Sequence, residues 1–349
     1  MSWYSNSPTW KWTRAMEKVT DIFQAEIYAS DAYKNMHTRT MDFPIIVDVE
    51  PTNACNLNCL FCARQTMTRP VRTMGLETLK VVVDEMKQHR HTSIRFSGWG
   101  EPTLNPQIVD FVKYCRANNV LTHLTTNATL LTAELATGLL QAGLNKIKFS
   151  MQGLTTEEYN RMRPSRAQDD PRCGYERITA NIEQFIELRN SLAIPCHIQV
   201  SVSMLKGEQE NMELQQMFYD RWYPQVDSIW GLGKVGVYGG RPLLTSFQRV
   251  KASGRICVED LSQGRPLRQD DVNHSKRCTE LYNKISISAE GVLKACCDDY
   301  DNQLVLGQVG QDSIASVWGG ARLSALRKNI ASGDSARVPK FCRSCDNYL

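Results

Sequence analysis

Between Glu50 and Gln65 the chain reads EPTNACNLNCLFCARQ, which sets Cys55, Cys59 and Cys62 within eight consecutive positions. Thiolates at that density are first of all metal ligands, and their number is informative. A structural zinc ion takes four protein ligands in a closed tetrahedron, whereas catalytic centres keep one position open. A 4Fe–4S cluster has four irons, so three cysteines leave one iron for another ligand. No further Cys or His lies near enough in sequence to complete the set. A zinc knuckle stays the alternative on residue type alone.

A second group follows far downstream. Cys278, twelve residues, Gly291, four residues and Cys296 form one half, and Cys342-x2-Cys345 the other. Paired cysteines on a hairpin and a knuckle suit a zinc ribbon as well as a second iron–sulfur cluster. Cys297 adjoins Cys296, and the spacing from Gly291 favours Cys296 as the ligand. The isolated Cys115, Cys173, Cys196 and Cys257 read as small buried hydrophobes. Twelve cysteines in 349 residues, with no apolar leader at the N-terminus, point to reduced thiols, metal and a cytoplasmic location.

These residues need a scaffold. Strand-like runs recur at 44–50, 93–97, 120–126, 146–151, 197–204 and 226–232. Amphipathic runs at 75–88, 105–119, 132–143, 174–191 and 209–221 separate them. Alternation of this kind predicts an α/β fold with a parallel sheet, whose ligands bind at the carboxyl ends of the strands. Cys55 lies five residues beyond the first run, at that rim. The boundaries predicted are a helical extension over 1–42, a core over 43–232, a linker or cap over 233–277, and a cysteine-bearing domain over 278–349. The last begins with two alternating runs around Ala289-Glu290-Gly291, a hairpin signal, and continues into a helix over 313–329.

The hydrophobic fraction of 42% suffices for a sizeable core, and no run is long enough to span a membrane. A net charge of +4, spread along the chain, gives no case for nucleic acid.

The C-x3-C-x2-C loop after a strand resembles the radical S-adenosylmethionine (SAM) superfamily, with Phe61 at the aromatic position before the third cysteine. FSGWGEP resembles that family's Gly-Gly-Glu loop and maps onto Gly98, Gly100 and Glu101, with Trp99 where glycine is commoner. TTNATLL resembles the stretch near the adenosine, with Asn127 matched and Ala128 replacing a glycine. FSMQG resembles the Ser-x-Asp-Gly motif, with Ser150 matched and Gln152 replacing the acid. Arg163 is placed to pair with the SAM carboxylate. The resemblance implies a partial (β/α)6 TIM-like barrel with a small C-terminal hairpin-plus-helix domain. It also implies SAM, a 4Fe–4S cluster on Cys55, Cys59 and Cys62, and a flavodoxin- or ferredoxin-type reductant. Reductive cleavage of SAM would then yield a 5′-deoxyadenosyl radical that takes hydrogen from substrate.

The second cysteine group resembles the SPASM and twitch subfamilies. That implies one auxiliary 4Fe–4S cluster on Cys278, Cys296, Cys342 and Cys345, two clusters in all. The arrangement is similar to that of 2-deoxy-scyllo-inosamine dehydrogenases, which implies oxidation of a carbinol carbon in a small sugar- or cyclitol-like substrate. Three alternatives stand beside it. One is an epimerase with Cys257 as hydrogen donor. Another is a maturase of ribosomal peptides, disfavoured by the roughly 40 residues before the first strand, which are few for a leader-binding domain. The third is a non-catalytic iron–sulfur protein.

Overall fold

A strand buried on both faces reads as a continuous apolar run, but the runs here alternate. SIRF, KIKFSMQ and HIQVSVS each put polar residues on one face and apolar residues on the other, while LTHLTT is mixed on both. In the computed structural model, which describes residues 42–89, 92–167, 170–203, 212–230, 278, 280–334, 336–343 and four two-residue strands within 237–257, that alternation becomes a two-sided sheet. Six parallel strands form the core: β1 (Ile46–Val49), β2 (Ser93–Phe96), β3 (Leu121–Thr126), β4 (Lys146–Gln152), β5 (His197–Ser203) and β6 (Ser228–Trp230).

Register fixes the two faces. Val49, Phe96, Leu124, Ile147 and Ile198 are neighbours across five strands and wholly buried. Asp48, Arg95, His123, Lys146 and His197 form the adjacent row on the opposite face. The apolar face is covered by α1 (Leu76–Met86), α2 (Ile108–Ala117), α3 (Ala133–Gln141), α5 (Tyr175–Ser191) and α6 (Met212–Trp222), whose apolar stripes share one core with it. The short α4 (Thr156–Met162) was not predicted: it offers little apolar periodicity and starts on the Thr155 hydroxyl, which accepts from Glu158 N at 3.2 Å. The polar face lines the inside of a partial barrel.

The C-terminal hairpin was expected in an appended domain, but it extends the core sheet. β7 (Lys284–Ile287) pairs in parallel with β1, and β8 (Val292–Lys294) and β9 (Val305–Gln308) follow antiparallel, giving nine strands in the order β9-β8-β7-β1-β2-β3-β4-β5-β6. The helix predicted over 313–329 is two, α7 (Ile314–Trp318) and α8 (Ala321–Ser332), broken at Gly319-Gly320. Glu85 of α1 accepts from Ile314 N and Ala315 N, both at 2.8 Å, clamping the start of α7 to the core.

The predicted N-terminal helix lies outside the described residues. Within 233–277 the structure describes only the pairs Val237–Tyr238 with Arg241–Pro242 and Arg249–Val250 with Ile256–Cys257. Among the described residues no helix is long and apolar enough to cross a membrane.

Candidate active site

The chain leaves β1 at Glu50 and folds back on itself through the cysteine loop. Asn53 is the pivot: its Nδ2 donates to Pro70 O at 2.9 Å, its Oδ1 accepts from Arg72 N at 2.7 Å, and its carbonyl accepts from Arg64 Nε at 2.7 Å. Asn58 N donates to Pro164 O at 2.8 Å and Leu60 N to Met162 O at 3.0 Å, tying the loop to the end of α4. Leu57, Cys59, Phe61, Met162 and Cys173 make a small apolar patch against which Cys55 and Cys62 pack. Burial, then the Glu101 carboxylate, pushes the Cys55 thiol up to about 11. Burial, then Cys59, pushes Cys62 up to about 12. Three thiolates can share such a pocket only around positive metal, which fits a cluster as their occupant.

The β2 loop presses directly on this one. A Cβ on Gly100 would lie 2.2 Å from Thr52 O and 2.5 Å from Ala54 O, and Glu101 N donates to Ala54 O at 2.8 Å. Only glycine allows that approach. Gly98 opens the same loop, where a Cβ would meet Glu50 Cγ at 2.6 Å. The buried Glu101 carboxylate accepts from the Thr103 and Thr126 hydroxyls, both at 2.6 Å, and from Asn127 N at 2.8 Å. It therefore joins the β2 and β3 loops. Asn127 Nδ2 donates to Asn56 Oδ1 at 3.1 Å, which joins both to the cysteine loop. Ala128 adopts φ 62°, the left-handed conformation that explains a glycine at the matching position of the resembled motif.

At the end of β4, Ser150 contributes its carbonyl, which accepts from Arg163 Nη1. The Arg163 guanidinium lies 5.4 Å from the Tyr159 ring centre and interacts electrostatically with Cys59. Arg163 Nε and Gln152 Oε1 are buried without a hydrogen-bond partner among the described residues. An orphan donor and an orphan acceptor beside the cysteine loop suit a ligand bearing a carboxylate and an amine or hydroxyls, as SAM does.

Arg69 was not singled out from sequence, and for Trp99 and Cys173 the contacts were not foreseen. Arg69 Nη2 donates to both Glu50 oxygens at 2.8 and 2.7 Å, and its Nη1 donates to Glu290 at 2.8 Å in the hairpin turn. Trp99 Nε1 donates to Cys297 O at 3.0 Å. Cys173, taken from sequence as solitary, sits in the apolar patch of the cysteine loop and accepts from Asn56 Nδ2 at 3.6 Å. The Arg69–Glu50 ion pair had a local signal, charges flanking the cysteines, and Trp99 had one as a large residue in place of glycine.

Where the loops meet the C-terminal hairpin lies a cavity of about 180 Å³. Cys62, Gly98 and Trp99 line one side, and Cys297 and Asp298 the other. Cys296 is buried beneath, with Asp298 N donating to its Sγ at 3.4 Å. The Cys296 and Cys297 sulfurs and an Asp298 oxygen lie within 4.8 Å of one another, so both thiols are placed to reach a metal held here. Cys278 and Cys342 are likewise buried, while Cys345 and the Cys257 side chain lie outside the described residues.

Comparison with known proteins agrees with this geometry. Residues 49–213 match the radical SAM superfamily, and residues 278–346 match SPASM, an iron–sulfur cluster-binding domain. The chain thus carries a radical SAM domain and a SPASM domain, and these imply SAM and 4Fe–4S iron–sulfur clusters as its cofactors. Among its relatives, the mycofactocin maturase MftC of Mycobacterium tuberculosis is 31% identical over 119 residues, 34% of this chain and 30% of that protein. The PqqA peptide cyclase of Bradyrhizobium diazoefficiens is 33% identical over 116 residues, 33% of this chain and 30% of that protein. This chain therefore matches under a third of either. A tungsten-containing aldehyde ferredoxin oxidoreductase cofactor-modifying protein of Pyrococcus furiosus is 25% identical over 305 residues, 80% of this chain and 82% of that one.

Solved structures share the fold. anSMEcpe with bound AdoMet has TM-score 0.57 at 15% identity, covering 87% of this chain and 85% of its own. BtrN with AdoMet and 2-DOIA has TM-score 0.50 at 15% identity, covering 86% and 92%.

Proposed function

We propose that the protein is a radical SAM enzyme that modifies a peptide, removing a hydrogen atom from a side chain held between its two cluster-bearing loops. The observation that carries this is the cavity itself, bounded by Cys62, Gly98 and Trp99 on the SAM side and by Cys297 and Asp298 on the SPASM side. With SAM and a reduced cluster bound, the cofactors supply a hydrogen-abstracting radical, and the protein's part is to aim it. The β2, β3 and β4 loops fix the nucleoside. The Arg163 guanidinium, already oriented on Ser150 O, holds a carboxylate. The hairpin closes the cavity against water, and substrate placement supplies most of the selectivity.

Relatives named as a maturase and a peptide cyclase support the peptide reading over oxidation of a sugar alcohol, for which BtrN offers likeness of fold alone. A second reading, modification of a metal cofactor's organic part, is supported by the Pyrococcus furiosus relative, which aligns over 80% of the chain. Cys257 as a hydrogen donor belongs to the epimerase alternative, for which no relative named above speaks. A ferredoxin or flavodoxin is the proposed electron source.

The test is anaerobic: reduced, cluster-loaded protein with SAM and side-chain-deuterated peptides, alongside deuterated cyclitols. Deuterium entering 5′-deoxyadenosine from a peptide supports the proposal. Deuterium from a cyclitol alone would replace it with the dehydrogenase reading, and no 5′-deoxyadenosine at all would leave an iron–sulfur carrier.

A further inference from the structure

Strand register carries one row of side chains along the inner wall of the cavity. Lys294 of β8 stands opposite Ser286 of β7, Ser286 opposite Asp48 of β1, and Asp48 opposite Arg95 of β2, and all four line the cavity. Positions on one face of a strand recur every second residue. Glu50 and Ser97, which also line the cavity, therefore form the next row, about 6.6 Å nearer the rim. The cavity runs from this floor of strand side chains to a mouth at Cys62, Gly98 and Trp99.

Most of the wall is already committed. The Asp48 oxygens accept from Arg95 Nε and Nη2 at 2.6 and 2.5 Å, and the Glu50 oxygens accept from Arg69 Nη2 at 2.8 and 2.7 Å. Lys294 is 3% exposed and donates to Asp299 O. Ser286 differs. It is also 3% exposed, yet its hydroxyl has no hydrogen-bond partner among the described residues. An unmet buried hydroxyl is costly in the empty protein, and a ligand that supplies the partner removes the cost.

The hydroxyl is neutral and can both donate and accept. The carboxylates beside it and above it are each matched by an arginine, so the floor favours an uncharged polar group. We propose that Ser286 is a specificity-determining residue whose hydroxyl donates to the carbonyl oxygen of a substrate amide held at the cavity floor. The reacting carbon then lies toward the mouth, about one strand row above the amide. The inference rests on the peptide reading proposed above, and adds the group by which the substrate is held and the end that points inward.

The test uses cluster-loaded full-length protein saturated with SAM. Propionamide, standing for a side-chain carboxamide, and N-methylpropionamide, standing for a peptide bond, are titrated separately and followed by saturation-transfer NMR. Binding of at least one is expected, about fivefold weaker in Ser286→Ala and retained in Ser286→Thr. The tighter probe identifies the kind of amide. With no probe present, Ser286→Ala should melt no lower than the unaltered protein, since no internal bond is lost. A lower melting temperature would show the hydroxyl bonded within the fold and overturn the proposal. So would binding of neither probe, or equal binding to Ser286→Ala, the result expected if only water fills the floor. Amide binding that depends on Ser286, in a protein whose 5′-deoxyadenosine gains no deuterium from peptides, would instead overturn the peptide reading and leave the subsite standing.

Discussion

Trp99 donates its indole N–H to the backbone carbonyl of Cys297 at 3.0 Å, and its ring meets Tyr300 edge-on at 5.7 Å between centres. A loop of the SAM-binding core is thereby fastened to the loop that carries Cys296. The position is one where the resembled motif has glycine, so the large side chain is a feature of this chain. Trp99→Phe keeps the ring and loses the donor, leaving a carbonyl to water or to nothing. Calorimetry of the loaded protein should show a loss of about 1 kcal/mol, and Trp99→Ala, which also loses the contact with Tyr300, a larger one.

Arg69 is the second fastening. It faces Glu50 with both side chains about one-twentieth exposed (6% and 4%) and bridges to Glu290 and to Tyr300 O. Removing one partner of a buried pair strands the other charge. Arg69→Met should therefore cost about 3–5 kcal/mol in denaturant unfolding. Adding Glu50→Gln to Arg69→Met should recover part of that, since the stranded charge is gone; no recovery would mean that the hydrogen bonds, not the charge, hold the junction.

Stability should fall with acid because of His123. Its folded-state pKa is depressed by burial and by neighbouring cations, so it stays neutral when folded while the unfolded chain takes up a proton below about 6.5. The unfolded state then binds more protons, and stability present above pH 6.5 is lost as pH drops through that value. The loss approaches about 1.4 kcal/mol per pH unit for one such group. Melting temperatures from pH 7.5 to 5.5 should slope downward, with a shallower slope in His123→Gln.

Gly100 tests the seating of the rim. A methyl group there would lie 2.2 Å from Thr52 O, which is backbone and can yield only if the cysteine loop moves. Gly100→Ala should cost about 1–3 kcal/mol of stability and reduce SAM cleavage far more than that loss explains. Normal 5′-deoxyadenosine formation in this variant would show that the seating is not required.

The succession of strands and helices along the core, the parallel sheet and the hairpin were legible in the sequence because alternation and turn residues are local signals. The rim residues Gly98, Gly100, Glu101 and Asn127 were legible through short motifs after each strand. What escaped was non-local. That β7 would pair with β1 depends on an exposed strand edge that no single segment announces. The Trp99–Cys297 and Arg69–Glu290 contacts join loops some two hundred residues apart in sequence. Cys173 looked solitary because its neighbour Cys59 is brought to it by the α4 turn. The break at Gly319-Gly320 was visible as two glycines, but the apolar periodicity on either side masked it.

The central claim is that Cys55, Cys59 and Cys62 alone hold the first cluster and leave one iron for SAM. Cys173, packed in the same patch, is the residue that could close that position. Electron–nuclear double resonance on the reduced protein with isotopically labelled SAM decides the matter. The expected result is coupling between the cluster and the labelled amino nitrogen and carboxylate oxygen, unchanged in Cys173→Ala. No coupling, with a cluster signal that changes in Cys173→Ala, would show an iron site saturated by side chains and contradict the account.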